Sequence, residues 1–115
     1  MSKTLELLKS MRGKIATGWT QGCSARNRQG NPVVPSSPEA CQWCLLGAVT
    51  AMESAHYRTT VEQRTNVWRI INQLLENRNE LQMPSAFNDN PARTQREVLE
   101  LLDEAISVAS IGGYN

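Results

Sequence analysis

Apolar residues recur at the spacing of an α-helix in four separate stretches of the chain, and this pattern predicts four helices. The first predicted helix covers residues 2–12, where apolar residues lie three apart and Gly13 follows as a terminator. The last one begins with a capping box formed by Thr94 and Glu97. It carries the most regular apolar face of the chain, which comprises Val98, Leu101, Leu102, Ala105, Val108 and Ala109.

Two further helices are predicted in the middle of the chain. The second helix is expected to begin at Ser37 as N-cap, with Pro38 in the first helical position. Its apolar face would then comprise Cys41, Cys44, Leu45, Ala48, Met52 and Ala55. The third helix is predicted from a capping box of Thr59 and Glu62 to about Asn77. Its apolar face comprises Val67, Ile70, Ile71, Leu74 and Leu75.

The segments between these helices carry turn-forming residues. Residues 18–34, "GWTQGCSARNRQGNPVV", alternate apolar and polar positions before a run of turn formers, so a short hairpin or irregular excursion is expected. Residues 78–93 contain Pro84 and Pro91 and are expected to interrupt helicity. The predicted fold class is mostly α, a compact bundle of about four helices with that excursion between helices 1 and 2. Residues 1–115 are expected to form a single domain with a frayed tail at 110–115.

The paired cysteines of "CQWCLLGA" are interpreted through the second predicted helix. Residues three apart lie on one side of a helix, where free cysteine behaves as a small apolar residue. Cys41 and Cys44 would therefore fill the core. Trp43 would point elsewhere, in line with Gly47, whose missing side chain would let a neighbouring element approach closely.

Composition narrows the function without identifying it. No apolar run approaches the roughly 18 residues of a membrane span, and no apolar segment follows Lys3, so we expect a cytoplasmic protein with no membrane partner. Three cysteines, an odd number, do not suit a disulfide framework. The net charge of +1 gives no reason to expect a nucleic-acid partner. Basic residues are concentrated in residues 1–30, and we interpret them as solvated charges in preference to a site for an anionic partner.

Three chemistries of the cysteines are weighed and not favoured. A Cys3His zinc site would use Cys23, Cys41, Cys44 and His56, but a continuous helix would separate Cys44 from His56 by roughly 18 Å. The same distance opposes a catalytic dyad of Cys44 and His56. A thioredoxin-like site needs its cysteines at a helix start directly after a strand, whereas the predicted helix begins before Cys41. No metal or other cofactor is expected.

A polar cluster precedes the last predicted helix and allows two interpretations. In the functional one, Asn88, Asp89 and Arg93 face a ligand at a helix N-terminus, where backbone amides can also bind an anion. In the structural one, Asn88 or Asp89 closes an Asx-turn and Arg93 pairs with Asp89. We favour the structural interpretation, and the functional one stays open.

"WCLLGA" at 43–48, together with "FND" and "RTQREVLELLDEAI" at 93–106, resembles a family of uncharacterised small domains found in phage and bacterial genomes. Its pattern is Gly-Trp, then Trp-Cys-x-x-Gly-Ala, Trp-Asn-Asp and Arg-Thr-x-x-Glu-Val-Leu; here Phe87 replaces the third tryptophan and Cys41 is additional. The resemblance implies an origin and no reaction. It singles out five residues: Trp43, Cys44, Asn88, Asp89 and Arg93. It also suggests that helix two packs against the start of helix four.

The expected function is that of a non-catalytic binding module. We expect a phage or prophage accessory protein that binds a host protein and thereby inhibits host defence. Trp43, Asn88, Asp89 and Arg93 are its candidate binding residues. The alternatives are a small enzyme with Cys44 as nucleophile and His56 or Asp89 as helper, and a binder of a small anion near Arg93. The sequence assigns no oligomeric state.

Overall fold

The computed structural model describes residues 3–54, 61–80 and 83–112. These residues form five helices and two short strands. The helices are α1 (Lys3–Thr17), α2 (Leu45–Ser54), α3 (Val61–Asn77), α4 (Pro84–Asp89) and α5 (Gln95–Ile111), and the strands are β1 (Ala25–Arg26) and β2 (Gln42–Trp43). The predicted fold class is confirmed, since the helices form one bundle and the strands lie in an excursion between the first two.

Helix α1 is central to the bundle and packs against α2, α3 and α5. Four of its side chains, Leu7, Leu8, Met11 and Ile15, are completely buried and belong to one continuous apolar core. Full burial of one such side chain contributes about 2 kcal/mol. None of the described helices is long and apolar enough to cross a membrane.

The predicted end of the first helix at residue 12 is wrong, because α1 continues through Gly13 to Thr17. Ile15 lies on the same face as Met11 and is completely buried, so one more helical turn adds to the core. An exposed glycine inside a helix costs only about 1 kcal/mol. Burial of Ile15 outweighs that cost.

The predicted start of the second helix at Ser37 is also wrong, because α2 begins at Leu45. Ser37 instead stabilises tight turns: its N–H donates to Val34 O, and its hydroxyl accepts from the Glu39 N–H. The same side-chain bond would occur at a helix N-cap. Cys41 and Cys44 consequently flank strand β2 and do not share a helical face.

Strand β2 lies between two segments of the excursion. It pairs antiparallel with β1, with Ala25 opposite Trp43. On its other side, the Trp43 N–H donates to Gly18 O and Trp43 O accepts from the Thr20 N–H. The Cys41 and Cys44 N–H groups donate to the 24–26 segment. These bonds engage backbone N–H and C=O groups that a helix starting at Ser37 would need for its own hydrogen bonds. Pairing with residues distant in the sequence therefore moves the start of α2 to Leu45.

Helix α3 ends at Asn77, as predicted. Asn79 has a positive φ of 59°, and the N–H groups of Asn79 and Glu80 donate to the carbonyls of Glu76 and Leu75. This is a Schellman motif, in which asparagine takes the place more often held by glycine. The predicted capping box cannot be compared, since Thr59 lies outside the described residues.

Residues 78–93 were predicted to interrupt helicity, yet they contain the short helix α4. Pro84 opens it in a position where the missing N–H of proline is not needed. The predicted capping box of the last helix is confirmed: Thr94 and Glu97 exchange both bonds at the start of α5. The bond from the Thr94 N–H holds the pKa of Glu97 below its usual value.

Gly47 lies where the backbone of the excursion closely approaches α2, so the expected close approach is confirmed. A Cβ atom at Gly47 would stand 1.9 Å from Ser24 O, whereas a Cβ at Gly13 would meet nothing within 4 Å.

We therefore expect Gly47→Ala to lower the free energy of unfolding by about 2–3 kcal/mol, because backbone must move to admit the methyl group. Gly13→Ala should raise it by about 0.5–1 kcal/mol. Urea denaturation of both variants measures the difference. Equal stability of the two variants would contradict the close approach.

Candidate functional site

Asn88 is the buried centre of a polar junction, which we define as Trp19, Thr20, Cys44, Asn88 and Asp89. The Asn88 side chain is completely buried. Its Oδ1 accepts from Trp19 Nε1 at 2.9 Å and from the Leu45 N–H at 3.2 Å. Its Nδ2 donates to Thr20 O and to Asp89 Oδ1, both at 3.0 Å. All four hydrogen-bonding positions of the carboxamide are thus used within the chain.

Two residues of the junction cap the start of α2. Asn88 Oδ1 accepts from the first helical N–H, that of Leu45. Cys44 Sγ accepts from the Gly47 N–H at 3.3 Å. A cysteine thiol thereby takes the position that serine or asparagine usually holds at an N-cap. Through this contact α2 meets α4. The expected packing of helix two against the start of the last helix, which is α5, stays a prediction.

The thiol of Cys44 is poorly suited to nucleophilic attack. It lies at a helix start directly after a strand, the position that lowers a thiol pKa when the thiol is accessible. Burial, however, raises the pKa of Cys44 despite the lowering effect of the Gly47 and Leu46 N–H groups. The residue is only 8% exposed. The neutral thiol therefore predominates at neutral pH, and the proposed helper His56 lies outside the described residues.

Cys41 and Cys44 do not act as a pair. Along extended backbone, residues three apart point to opposite faces. Cys41 lines a surface pocket with Asn27 and Arg28, whereas Cys44 is buried. Across the described ranges, no three His, Cys, Asp or Glu side chains are grouped so as to hold a metal ion, and this includes the set of Cys23, Cys41 and Cys44.

Asp89 connects the end of α4 to the segment between α1 and β1. Its Oδ1 accepts from the Gly22 N–H at 3.1 Å. Next to it, Gln21 Nε2 donates to the carbonyls of Asn88 and Asn90. The expected Asx-turn is present but belongs to Asn90, whose Oδ1 accepts from the Ala92 N–H.

Arg93 is held by its own chain. The predicted pairing with Asp89 is wrong, because the guanidinium binds Glu97 at 3.2 Å and Glu80 at 3.4 Å. Its Nε donates to Phe87 O, and the group stacks 3.6 Å from the Phe87 ring centroid. The side chain is only 9% exposed. Binding of a small anion there stays a prediction, but the ligand would have to displace these partners.

Trp43, the fourth predicted binding residue, is buried and 5% exposed. Its indole N–H donates to Pro35 O at 3.1 Å. The four residues are thus brought to two places, with Asn88, Asp89 and Arg93 around α4 and Trp43 in the sheet. Their surroundings favour the structural interpretation, and a direct binding role remains a prediction.

A different surface exposes large apolar side chains. We call it the apolar groove and define it by Leu46, Val61, Trp68, Met83 and Pro84. A cavity of about 330 Å³ lies between α2, α3 and the start of α4, and a second of about 340 Å³ adjoins it. Leu46 and Trp68 line both cavities. Leu46 is 49% exposed, Val61 69% and Met83 72%.

The sequence interpretation did not identify this groove. Leu46 falls outside the buried face of α2. A leucine outside that face was the one indication in the sequence of an exposed apolar surface. Met83 precedes α4, which was not predicted. Trp68 was recognised as bulk beside the apolar face of α3, but its neighbours across the groove depend on tertiary packing.

The chain belongs to a family of unknown function, DUF6197, whose model matches residues 1–108. This confirms the resemblance to an uncharacterised family of small domains. No significant match was found among curated proteins or among solved structures.

Asn88→Ala should lower the free energy of unfolding by about 3 kcal/mol, because the buried Trp19 and Leu45 N–H groups would lose their acceptor. Asn72→Ala, at an exposed helical position, is the matched control and should change stability by less than about 0.5 kcal/mol. Thermal unfolding of both variants measures this. A near-native melting temperature for Asn88→Ala would show that the junction contributes little.

Iodoacetamide should alkylate Cys23 and Cys41 in the native protein well before Cys44, because burial keeps the Cys44 thiol neutral and covered. Tandem mass spectrometry of samples taken over time identifies the modified sulfur atoms. In denaturant the three rates should converge. Rapid alkylation of Cys44 in the folded protein would instead favour the cysteine-nucleophile alternative.

Proposed function

We propose that this member of a family of unknown function is a non-catalytic binding module that holds an α-helix of a partner protein in the apolar groove. The observation that carries the proposal is the concentration of three large exposed apolar residues, Leu46, Val61 and Met83, around two adjoining cavities. Exposed apolar patches of this kind are characteristic of protein interaction sites.

The shape of the groove supports a helical segment as the occupant. Its α3 wall runs along Val61, Thr65, Trp68 and Asn72, one line of the helix. Asn72 follows Val61 by eleven positions, and eleven helical steps span roughly 16 Å, or about three turns. A partner helix presenting apolar residues every three or four positions would match this length.

The composition of the groove resembles the centre of an interface. Its exposed apolar side chains would form the centre of a standard interface, which buries about 800 Å² on each partner. Polar residues adjoin them, including Thr50, Asn72 and Ser85. An apolar centre containing tryptophan with a polar rim is typical of specific protein complexes.

The finer proposal concerns the partner. On the resemblance to domains of phage genomes, we propose a host protein as the partner, met in the host cytoplasm. Occupying its surface would inhibit host defence. This step rests on analogy with small phage proteins.

Leu46→Asp and Met83→Asp should each weaken partner binding at least tenfold, because a carboxylate would be buried against an apolar helix. Neither should unfold the chain: an acid near the start of α2 suits the helix dipole, and Asp would improve the cap that Met83 lacks. Val34→Asp is the control, since Val34 is 65% exposed and lies outside the groove.

The measurement is quantitative capture of a partner from bacterial lysate with the full chain as bait, followed by titration of the purified partner. Wild type and Val34→Asp should bind equally. Retained affinity in both groove variants, with native melting temperatures, would refute the groove as the binding surface.

A further inference from the structure

A second concave surface lies between the end of α1, the 35–38 turns and α2. It encloses about 260 Å³. Its polar lining comes from Lys14, Ser36 and Ser37, and its apolar lining includes Pro35, Pro38 and Trp43. None of the residues that define the apolar groove lines it, so the two surfaces are separate.

Lys14 supplies this pocket with a fixed positive charge. Its ammonium lies 4.5 Å from the centroid of the Trp43 ring, a distance typical of a cation–π contact. Trp43 is in turn fixed by its hydrogen bond to Pro35 O. Lys14 makes no ion pair with any carboxylate in the part of the chain that the structure describes. The charge is thus held in place without being neutralised.

Two serine hydroxyls complete the polar side. The Ser37 hydroxyl accepts from the Glu39 N–H at 3.1 Å, so its own hydrogen is available to a ligand. The Ser36 side chain is exposed and makes no hydrogen bond within residues 3–54, 61–80 and 83–112. An ammonium and two hydroxyl donors that line one pocket are a set of groups that suits an anion, because charge-assisted hydrogen bonds are the stronger ones.

We propose that this pocket binds a small organic anion, whose carboxylate or phosphate group contacts Lys14, Ser36 and Ser37. The apolar part of the ligand packs on Pro35 and Pro38. The volume admits a ring-sized molecule and no larger cofactor. This site is independent of the proposed protein-binding groove, so either one can fail without the other.

The test titrates the full chain with phenyl phosphate and with benzoate, at constant ionic strength, by isothermal calorimetry. Saturable one-site binding is expected with a Kd on the order of 1 mM for the better ligand. Tryptophan fluorescence should change with the same midpoint, because the ligand alters the contact between Lys14 and Trp43. Comparing the two probes distinguishes phosphate from carboxylate as the preferred group, and benzyl alcohol is the uncharged control.

Lys14→Gln should weaken binding about tenfold or more, because it removes the charge while leaving a polar side chain that is one atom shorter. Lys9→Gln, an exposed change on the same helix, is the matched control and should bind as wild type does. Ser36→Ala should weaken binding by a smaller factor, and it alters no hydrogen bond of the fold. It therefore keeps the test valid if Lys14→Gln unfolds.

Leu46→Asp should bind both probes normally, which separates this site from the groove. Three results would overturn the proposal: no saturable binding of either anion, equal binding of benzyl alcohol, or unchanged affinity in both Lys14→Gln and Ser36→Ala. The last result would mean that anions bind elsewhere on the surface.

Discussion

The four hydrogen bonds of the buried Asn88 carboxamide hold together segments that have little stability alone. Residues 18–22 form no regular element beyond an isolated bridge, and α4 has six residues, too few for an independent helix. Asn88 joins both to the first N–H of α2. A buried amide has no water to bind, so each of its donors and acceptors needs a partner within the protein. The three segments that supply these partners must therefore reach their positions together.

The start of α2 shows which structural choices are local and which are not. Ser37 and Cys44 both accept a bond from a backbone N–H two or three residues later. Neighbouring residues alone therefore allow α2 to start at either position, and they favour Ser37 because serine is a preferred N-cap residue. Sheet pairing at Cys41 and Cys44, together with Asn88, decides for the later start. These partners lie 15 or more positions away in the sequence, so periodicity could not reveal them.

Elements governed by their own residues were predictable. The α5 capping box and the apolar face of α3 needed only neighbours within a few positions. The predicted site divides in the same way. The concentration of polar residues in the sequence identified Asn88, Asp89 and Arg93 as candidates, but it did not identify their partners. Arg93 binds Glu80 and Glu97, and Asp89 binds the Gly22 N–H. The groove was missed because exposure of Leu46 and Met83 is a property of the packed bundle.

Helix α2 connects the junction to both proposed binding surfaces. Leu46 projects from its first turn into the groove, and Ala51 lines the pocket of Lys14. Rotation of α2 by one residue would move both positions by about 100°. Such a rotation would break the bonds at Leu45 and Gly47 and bring the side chain of a neighbouring residue to the place of Gly47, against Ser24 O. Folding therefore fixes the orientation of α2 before any partner arrives. A surface that is already ordered loses little conformational entropy on binding, which favours affinity from a small area.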